Sequence, residues 1–447
     1  MKKIGFVLCI FHLLFISHHT LAEPKYDYAQ PCEAIVPDSI VLKNLQAQLD
    51  KTPEQREKIL SNFWEKIAKQ QTPIIETINA GSSRIVYLWR GALHNVRVVG
   101  GASNDHEWLS RIPNTDVWFK ETITNNNFYG SYSFAVDIPN IDGYLSHYCP
   151  HLNPKLKESR SQRVALRQSF KLDPFNPKKL SSKDQSNLRN ENIISLSKSP
   201  NFIHPNDFLD RQLNIKTVIL KSKVLNNERK ISIYQSKKID KTKPYITAIF
   251  FDGDYYANVL QVPKVLDILV ERGKLPPIQA VFIDPINAAI RPKELTPNLE
   301  FSKFFKYEFL PWLDLHIKRD PKQTVLLGSS LGGLSSAYLA LENQPHISHV
   351  VPLSGSFWWR RDKNDQPNSM SKIIREMSPQ IRQRWYISAN KYETSLNNNL
   401  SILSTSPVVA NDLAKKGHDV VFKEYNGGHS YALWQIVLQD ALQHFFK

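Results

Sequence analysis

The chain predicts an α/β fold in its C-terminal half, preceded by a smaller Ig-like antiparallel β-sandwich. From residue 215 onward, short apolar strand-like runs alternate with helix-length runs, the pattern of a mostly parallel sheet covered on both faces. Between residues 84 and 136, β-rich runs recur with Gly, Asn, Pro and Asp clusters between them, as in a small sandwich. At 447 residues the chain exceeds one ordinary core, and 41% hydrophobic with 22% charged residues is a globular composition.

Residues 1–22 have the three parts of an export signal: Lys2 and Lys3, an apolar run over 4–16, and Thr20-Leu21-Ala22 at the cut. The apolar run of about 13 residues is shorter than a spanning helix needs, so cleavage is expected rather than anchoring. Cys9 lies inside that run and no Cys follows at the cut, which disfavours a lipoprotein. The expected location is periplasmic or secreted, with no stable membrane insertion after processing. Processing leaves Cys32 and Cys149, an even count in an oxidising compartment, and a disulfide between them is expected. The formal charge of +15 falls by two with the leader and stays strongly basic, favouring anionic partners. The basic residues are spread along the chain, so a small anionic substrate or an acidic envelope surface is preferred to nucleic acid.

Within 23–152, apolar residues at helical spacing on either side of Thr52-Pro53 predict two amphipathic helices over 39–67. Sandwich strands are expected at 84–89, 95–99, 117–123 and 130–136. The segment 153–214, rich in Ser, Asn, Lys and Pro, reads as a linker. In the C-terminal domain, 215–447, strands are expected at 215–220, 231–234, 246–251, 280–283 and 324–327. Helices are expected at 260–272, 301–317 and 331–342.

The strand at 324–327 runs into Gly328-Ser329-Ser330-Leu331-Gly332-Gly333 and then directly into an apolar helix. That is the context of a nucleophile elbow, so the domain reads as an α/β-hydrolase with Ser330 as nucleophile. The base and acid follow the serine in this fold. His429 stands in Asn426-Gly427-Gly428-His429, after a strand-like run and before an apolar helix, where the catalytic loop belongs. His346, His349, His418 and His444 read as helix-end or surface-turn residues. For the acid, Glu393 follows the strand-like run 385–388, and Asp362, after the preceding strand, is the alternative. The oxyanion needs two backbone donors: the N–H of Leu331, and Gly253 or Asp254 in the loop after strand 246–251. Metal-ligand spacing is absent from the sequence, and serine chemistry requires no cofactor.

Phe251-Asp252-Gly253, Arg291 with Glu294-Leu295, Gly328 to Ser335, Ser354-Gly355-Ser356-Phe357-Trp358-Trp359, Gly427-Gly428-His429 and Trp434 occur in the order found in the enterochelin (ferric enterobactin) esterase family, which the chain resembles. Trp89-Arg90, Thr115 to Trp118, Gly130-Ser131-Tyr132 and Asp173 to Pro177 resemble that family's N-terminal domain and linker. The resemblance covers residue 75 or so to the end. It implies hydrolysis of the serine-ester backbone of a catecholate siderophore, weakening its grip on iron. Full-length members are typically cytoplasmic, so an export signal on the long architecture is a departure, as is Ser430 where an acidic residue is common. For such a substrate, Arg291 would neutralise charge, helped by Arg360 or Arg361, and one of Trp358 and Trp359 would stack on the rings. Other readings are an exported esterase or acyltransferase for another acyl or feruloyl-type ester, and a non-catalytic siderophore- or glycan-binding protein.

Overall fold

The computed structural model describes residues 28, 35–103, 107–141, 159–180, 191–204, 211, 213–237, 245–362, 368–378, 381–394 and 400–447. The leader, Cys32 and Cys149 lie outside the described residues. Two helices open the described chain, α1 (Ile40–Lys51) and α2 (Arg56–Gln70), separated by a short 3₁₀ turn at Pro53–Gln55. Leu42, Leu45 and Leu49 of α1 and Phe63, Trp64 and Ile67 of α2 are buried, one apolar stripe on each helix.

The sandwich strands are β1 (Ile74–Thr77), β2 (Ser82–Arg90), β3 (Val96–Gly100), β4 (Glu107–Trp108), β5 (Ser110–Arg111), β6 (Val117–Asn125) and β7 (Tyr129–Val136). One antiparallel sheet has the order β1-β2-β6-β5. Alternation along β2 explains its unbroken apolar run: Ile85 and Tyr87 join the core between the sheets, whereas Val86 and Leu88 pack under α1 and α2. The segment expected to be a linker is structured where it is described. It forms α3 (Arg160–Gln168), β8 (Phe170–Lys171) and β9 (Asn192–Ser195), and both strands pair with β7, extending the second sheet, β4-β3-β7-β8. Strands of two and four residues carry no readable period, so composition alone speaks for this segment and suggests a linker.

The C-terminal half adds β10 (Ile215–Ser222), β11 (Asn227–Gln235), β12 (Tyr245–Phe251), α4 (Val262–Glu271), β13 (Ile278–Ile283), α5 (Arg291–Leu295), α6 (Leu299–Phe304), α7 (Leu310–His316), β14 (Arg319–Ser329) and α8 (Leu331–Glu342). It ends with β15 (His349–Leu353), α9 (Ser369–Glu376), β16 (Arg384–Asn390), α10 (Ile402–Lys415), β17 (Asp419–Tyr425) and α11 (Tyr431–Phe446). The eight strands order β10-β11-β13-β12-β14-β15-β16-β17, parallel from β13 to β17 and antiparallel at β10 and β11. Successive residues of β12 serve opposite faces: Ala248 and Phe250 pack with α4 and α11, Ile249 and Phe251 with α6, α7 and α8. The helix expected over 301–317 is broken by a π-helical turn at Phe305–Phe309. His349, expected on a surface turn, instead opens β15 and is buried.

Candidate active site

Strand β14 delivers Ser330 at φ 57° and ψ −119°, a positive-φ conformation that non-glycine residues adopt only under constraint. Ser330 N–H donates to Leu353 O at 3.0 Å, and Ser330 O accepts from Ser356 N–H at 3.0 Å, so β15 and its loop hold the turn from one side. Gly328 is required on the other: a Cβ there would lie 2.3 Å from Gly332 O. The first turn of α8 thus sits directly on the strand, with the Leu331 N–H at the helix N-terminus beside the serine.

His429 follows β17. Its Nδ1 is 2.7 Å from Glu393 Oε1, and Glu393 Oε2 accepts Asn390 N–H at 2.8 Å. A carboxylate only accepts, so Nδ1 carries the proton and Nε2 is left as the acceptor. Ser330, His429 and Glu393 line one open cleft of about 400 Å³ together with Ser356, Trp358, Thr394, Leu400, Ser401 and Ile402. Ser356 Oγ lies 3.2 Å from Ser330 Oγ. Asp362 is exposed in the loop after β15, and it is Glu393 that meets the imidazole.

A polar group beneath the histidine links Ser354, Trp434 and Gly428, which the family pattern already marks, through Asn390. Ser354 Oγ accepts Trp434 Nε1–H at 2.8 Å and Asn390 Nδ2–H at 3.0 Å, and Asn390 also donates to Gly428 O at 2.9 Å. The Trp434 ring meets the imidazole edge-to-face at 4.8 Å. These bonds tie the carboxyl ends of β15, β16 and β17 into one platform. Asn390, the last residue of β16 and three positions before Glu393, is the member of this group that no sequence pattern marks.

The expected oxyanion loop follows β12. Asp252, at φ 55°, accepts Tyr255 and Tyr256 N–H on its carbonyl, starting a π-helical turn at Tyr255–Val259. Gly253 is pressed against β13, where a Cβ would lie 2.6 Å from Phe282 C and 2.7 Å from Asp284 Oδ1. The Asp254 N–H is taken by the Asp284 carboxylate, and the Asp254 side chain accepts Lys230 and Asn258, each at 2.8 Å. Burial raises the Asp284 carboxyl above its ordinary value, and the Lys230 ammonium offsets this in part. Of the two expected donors, Asp254 is therefore engaged elsewhere.

Arg291 is placed otherwise than expected, and of the two tryptophans it is Trp358 that lines the cleft. Arg291 makes a bidentate pair with buried Asp252, Nε–Oδ1 2.5 Å and Nη2–Oδ2 2.6 Å, behind the first turn of α8. Burial alone would lower the guanidinium pKa, but the Asp252 bonds and charge overcome it and raise it. Glu294 pairs with buried Arg229 at 2.7 Å, not with Arg291. Trp359 packs on the core, because the turn closed by its N–H on Ser356 O at 3.0 Å points consecutive side chains apart, and Trp358, 44% exposed, faces the cleft. Arg360 and Arg361 are exposed beyond it.

The histidine loop and the loop that carries Glu393 both also contact the sandwich. Tyr129 N–H donates to Asn426 O at 3.3 Å, Asn426 Nδ2 donates to Asn127 Oδ1 at 2.8 Å, and Tyr392 Oη donates to Thr124 Oγ1 at 2.8 Å.

Residues 222–445 match the family profile described as "Putative esterase", and residues 84–202 match "Enterochelin esterase, N-terminal". The chain belongs to the enterochelin esterase family. It is therefore an ester hydrolase by family. Relatives of this enterochelin esterase family member include the iron(III) enterobactin esterase of Dickeya dadantii, 25% identical over 85% of this chain and 92% of the relative. That of Yersinia enterocolitica is 26% identical over 70% and 91%. The crystal structure of the Shigella flexneri enterobactin esterase in the presence of enterobactin shares the fold, with TM-score 0.65 and 24% identity over 86% of this chain and 97% of that one. Among the described residues no helix is long and apolar enough to cross a membrane.

Proposed function

We propose that this chain is an exported serine esterase that hydrolyses the ester bonds of a catecholate siderophore. The observation that carries the mechanism is the convergence of Ser330, His429 and Glu393 on one cleft, with His429 Nδ1 2.7 Å from Glu393. Ser330 Oγ attacks the ester carbonyl carbon while His429 Nε2 takes its proton, and the Glu393 carboxylate stabilises the resulting imidazolium. The carbonyl oxygen becomes an oxyanion held by the N–H groups of Leu331 and Gly253. Collapse breaks the ester C–O bond, His429 returns the proton to the leaving alkoxide, and water repeats the sequence to release the acid and regenerate Ser330.

The substrate class rests on two supports. Relatives across most of this chain's length are iron(III) enterobactin esterases, and the solvent-exposed ring of Trp358 stands beside the nucleophile as a stacking surface for a catechol. The export reading rests on the 1–22 leader. Incubating purified protein with iron-loaded and iron-free catecholate siderophores and simple acyl esters, followed by mass spectrometry, tests the proposal. Catechol-serine pieces are expected, and Ser330→Ala and His429→Ala should each lower their release by about 10³-fold or more with the fold intact. Ordinary turnover by folded Ser330→Ala refutes the mechanism. Turnover of simple esters without any catecholate ester overturns the substrate alone.

A further inference from the structure

The sandwich domain reaches the catalytic histidine through a chain of buried hydrogen bonds. Glu191, immediately before β9, is 8% exposed, and its carboxylate accepts the hydroxyl of Ser131 from β7. Ser131 Oγ lies 2.5 Å from Ser430 Oγ, and Ser430 Oγ accepts Ala432 N–H at 3.1 Å as the N-cap of the 16-residue α11. Chemistry sets the proton directions. A carboxylate only accepts, so Ser131 gives its single proton to Glu191, and Ser430 must then give its own to Ser131. Both serines are buried, so water cannot replace a lost partner cheaply. The chain ends on the residue peptide-bonded to His429, and its carboxylate lies on the side of the α11 N-terminus, where negative charge is favourable.

The loop has little room to relax around this anchor. A Cβ on Gly427 would lie 2.6 Å from Tyr129 O, and one on Gly428 would lie 3.2 Å from Gly101 O, so the two residues before His429 rest on sandwich backbone. On the catalytic-domain side, the loop is held through Glu393 on His429 and the Asn390 bond to Gly428.

We propose that Glu191, acting through Ser131 and Ser430, is a positioning residue for His429, so that the sandwich domain sets the approach of the imidazole to Ser330. The inference rests on the reading of His429 as general base. It makes the N-terminal domain part of the catalytic machinery, beyond any role in substrate capture.

The test uses the full chain, with a small neutral ester for turnover and a fluorophosphonate to report the reactivity of Ser330. Glu191→Gln weakens the terminal acceptor, and Ser430→Asp sets a second carboxylate against the first. Each should lower kcat on the order of tenfold, with KM nearly unchanged and phosphonylation slowed in step, because misplacing a base affects the transition state rather than binding. The double variant, Glu191→Gln with Ser430→Asp, holds one carboxylate again, with the chain reversed: Ser131 donates to the new carboxylate, and the new amide donates to Ser131. It should regain most of the lost kcat, a non-additive result. Should Glu191→Gln not fold, Ser131→Thr against Ser131→Val makes the same comparison, since the two share a shape and differ in the hydroxyl, and Val should be the slower. Folded Glu191→Gln with wild-type kcat, a double variant no faster than Ser430→Asp alone, or equal Thr and Val variants would each overturn the proposal. Wild-type protein that is not phosphonylated at Ser330 would instead mean that the serine-histidine reading itself has failed.

Discussion

Glu393→Gln probes the proton arrangement of the triad rather than its packing, because the two side chains have nearly the same shape. In the native site Oε1 accepts from His429 Nδ1–H and Oε2 accepts Asn390 N–H at 2.8 Å. The amide of the variant has one oxygen for these two donors. If the oxygen stays on Asn390 N–H, the NH₂ faces Nδ1, drives the proton to Nε2 and leaves no acceptor for the Ser330 proton. If the amide flips, the buried Asn390 N–H loses its acceptor at about 1–3 kcal/mol. Either way the imidazolium loses a charged partner, worth about 1–2 kcal/mol more than a neutral one. The sum, about 2–5 kcal/mol, corresponds to a fall in kcat/KM of roughly 30-fold to a few thousand-fold. Glu393→Ala imposes no tautomer and admits water, so it should be the more active of the two variants. The assay is hydrolysis of a chromogenic ester, with folding checked by circular dichroism. Glu393→Gln within threefold of wild type would refute orientation of His429 by Glu393, and equal rates for the Gln and Ala variants would refute the tautomer argument.

Trp358→Ala should raise KM for an aromatic ester by about 2- to 10-fold, the worth of one stacking contact, with little change in Tm, whereas Trp359→Ala should cost about 2 kcal/mol or more of stability. Thermal melts beside steady-state kinetics separate the two, and the reverse pattern would exchange their roles. Arg291→Ala leaves the Asp252 carboxylate buried and unpaired, so a loss of about 3–5 kcal/mol is expected, with activity falling alike on charged and neutral esters. An unchanged Tm with KM raised only for an anionic siderophore would restore Arg291 to substrate binding. Burial, aided by the Arg384 charge, pushes the His349 imidazole down to about 4 from its ordinary 6.5. Between those values the unfolded chain holds a proton that the folded chain does not, so stability is full above pH 6.5 and falls as pH drops towards 4, by roughly 3 kcal/mol. Denaturant titrations of His349→Phe, which keeps the packing on Phe445 and Phe446, should show a flatter decline over that window, and an identical decline would refute the assignment.

The features legible in the sequence are those written within a few consecutive residues. Apolar runs of strand length alternating with helices specify a sheet covered on both faces, and β12 to β15 with α4 and α8 form where that alternation is strongest. The elbow at Ser330 is local too, since a strand, a glycine that tolerates the carbonyl of Gly332 and a helix start all lie within a handful of positions. His429 is separable from the other histidines because it alone stands in a glycine turn between a strand and a helix. What the tertiary structure decided are pairings between groups far apart in the chain. Glu393 and Asp362 both follow sheet strands, and only the fold brings one of them to His429. Trp358 and Trp359 are adjacent and chemically alike, and the Ser356 turn sends one to the cleft and the other to the core. Arg291 finds Asp252 across 39 positions, β8 and β9 exist because β7 offers them an edge, and Glu191 reaches Ser430 through a serine of another strand. Periodicity and turn chemistry act over one or two helical turns, whereas the partner of a buried charge or hydroxyl is chosen by which distant segments the folded core places side by side.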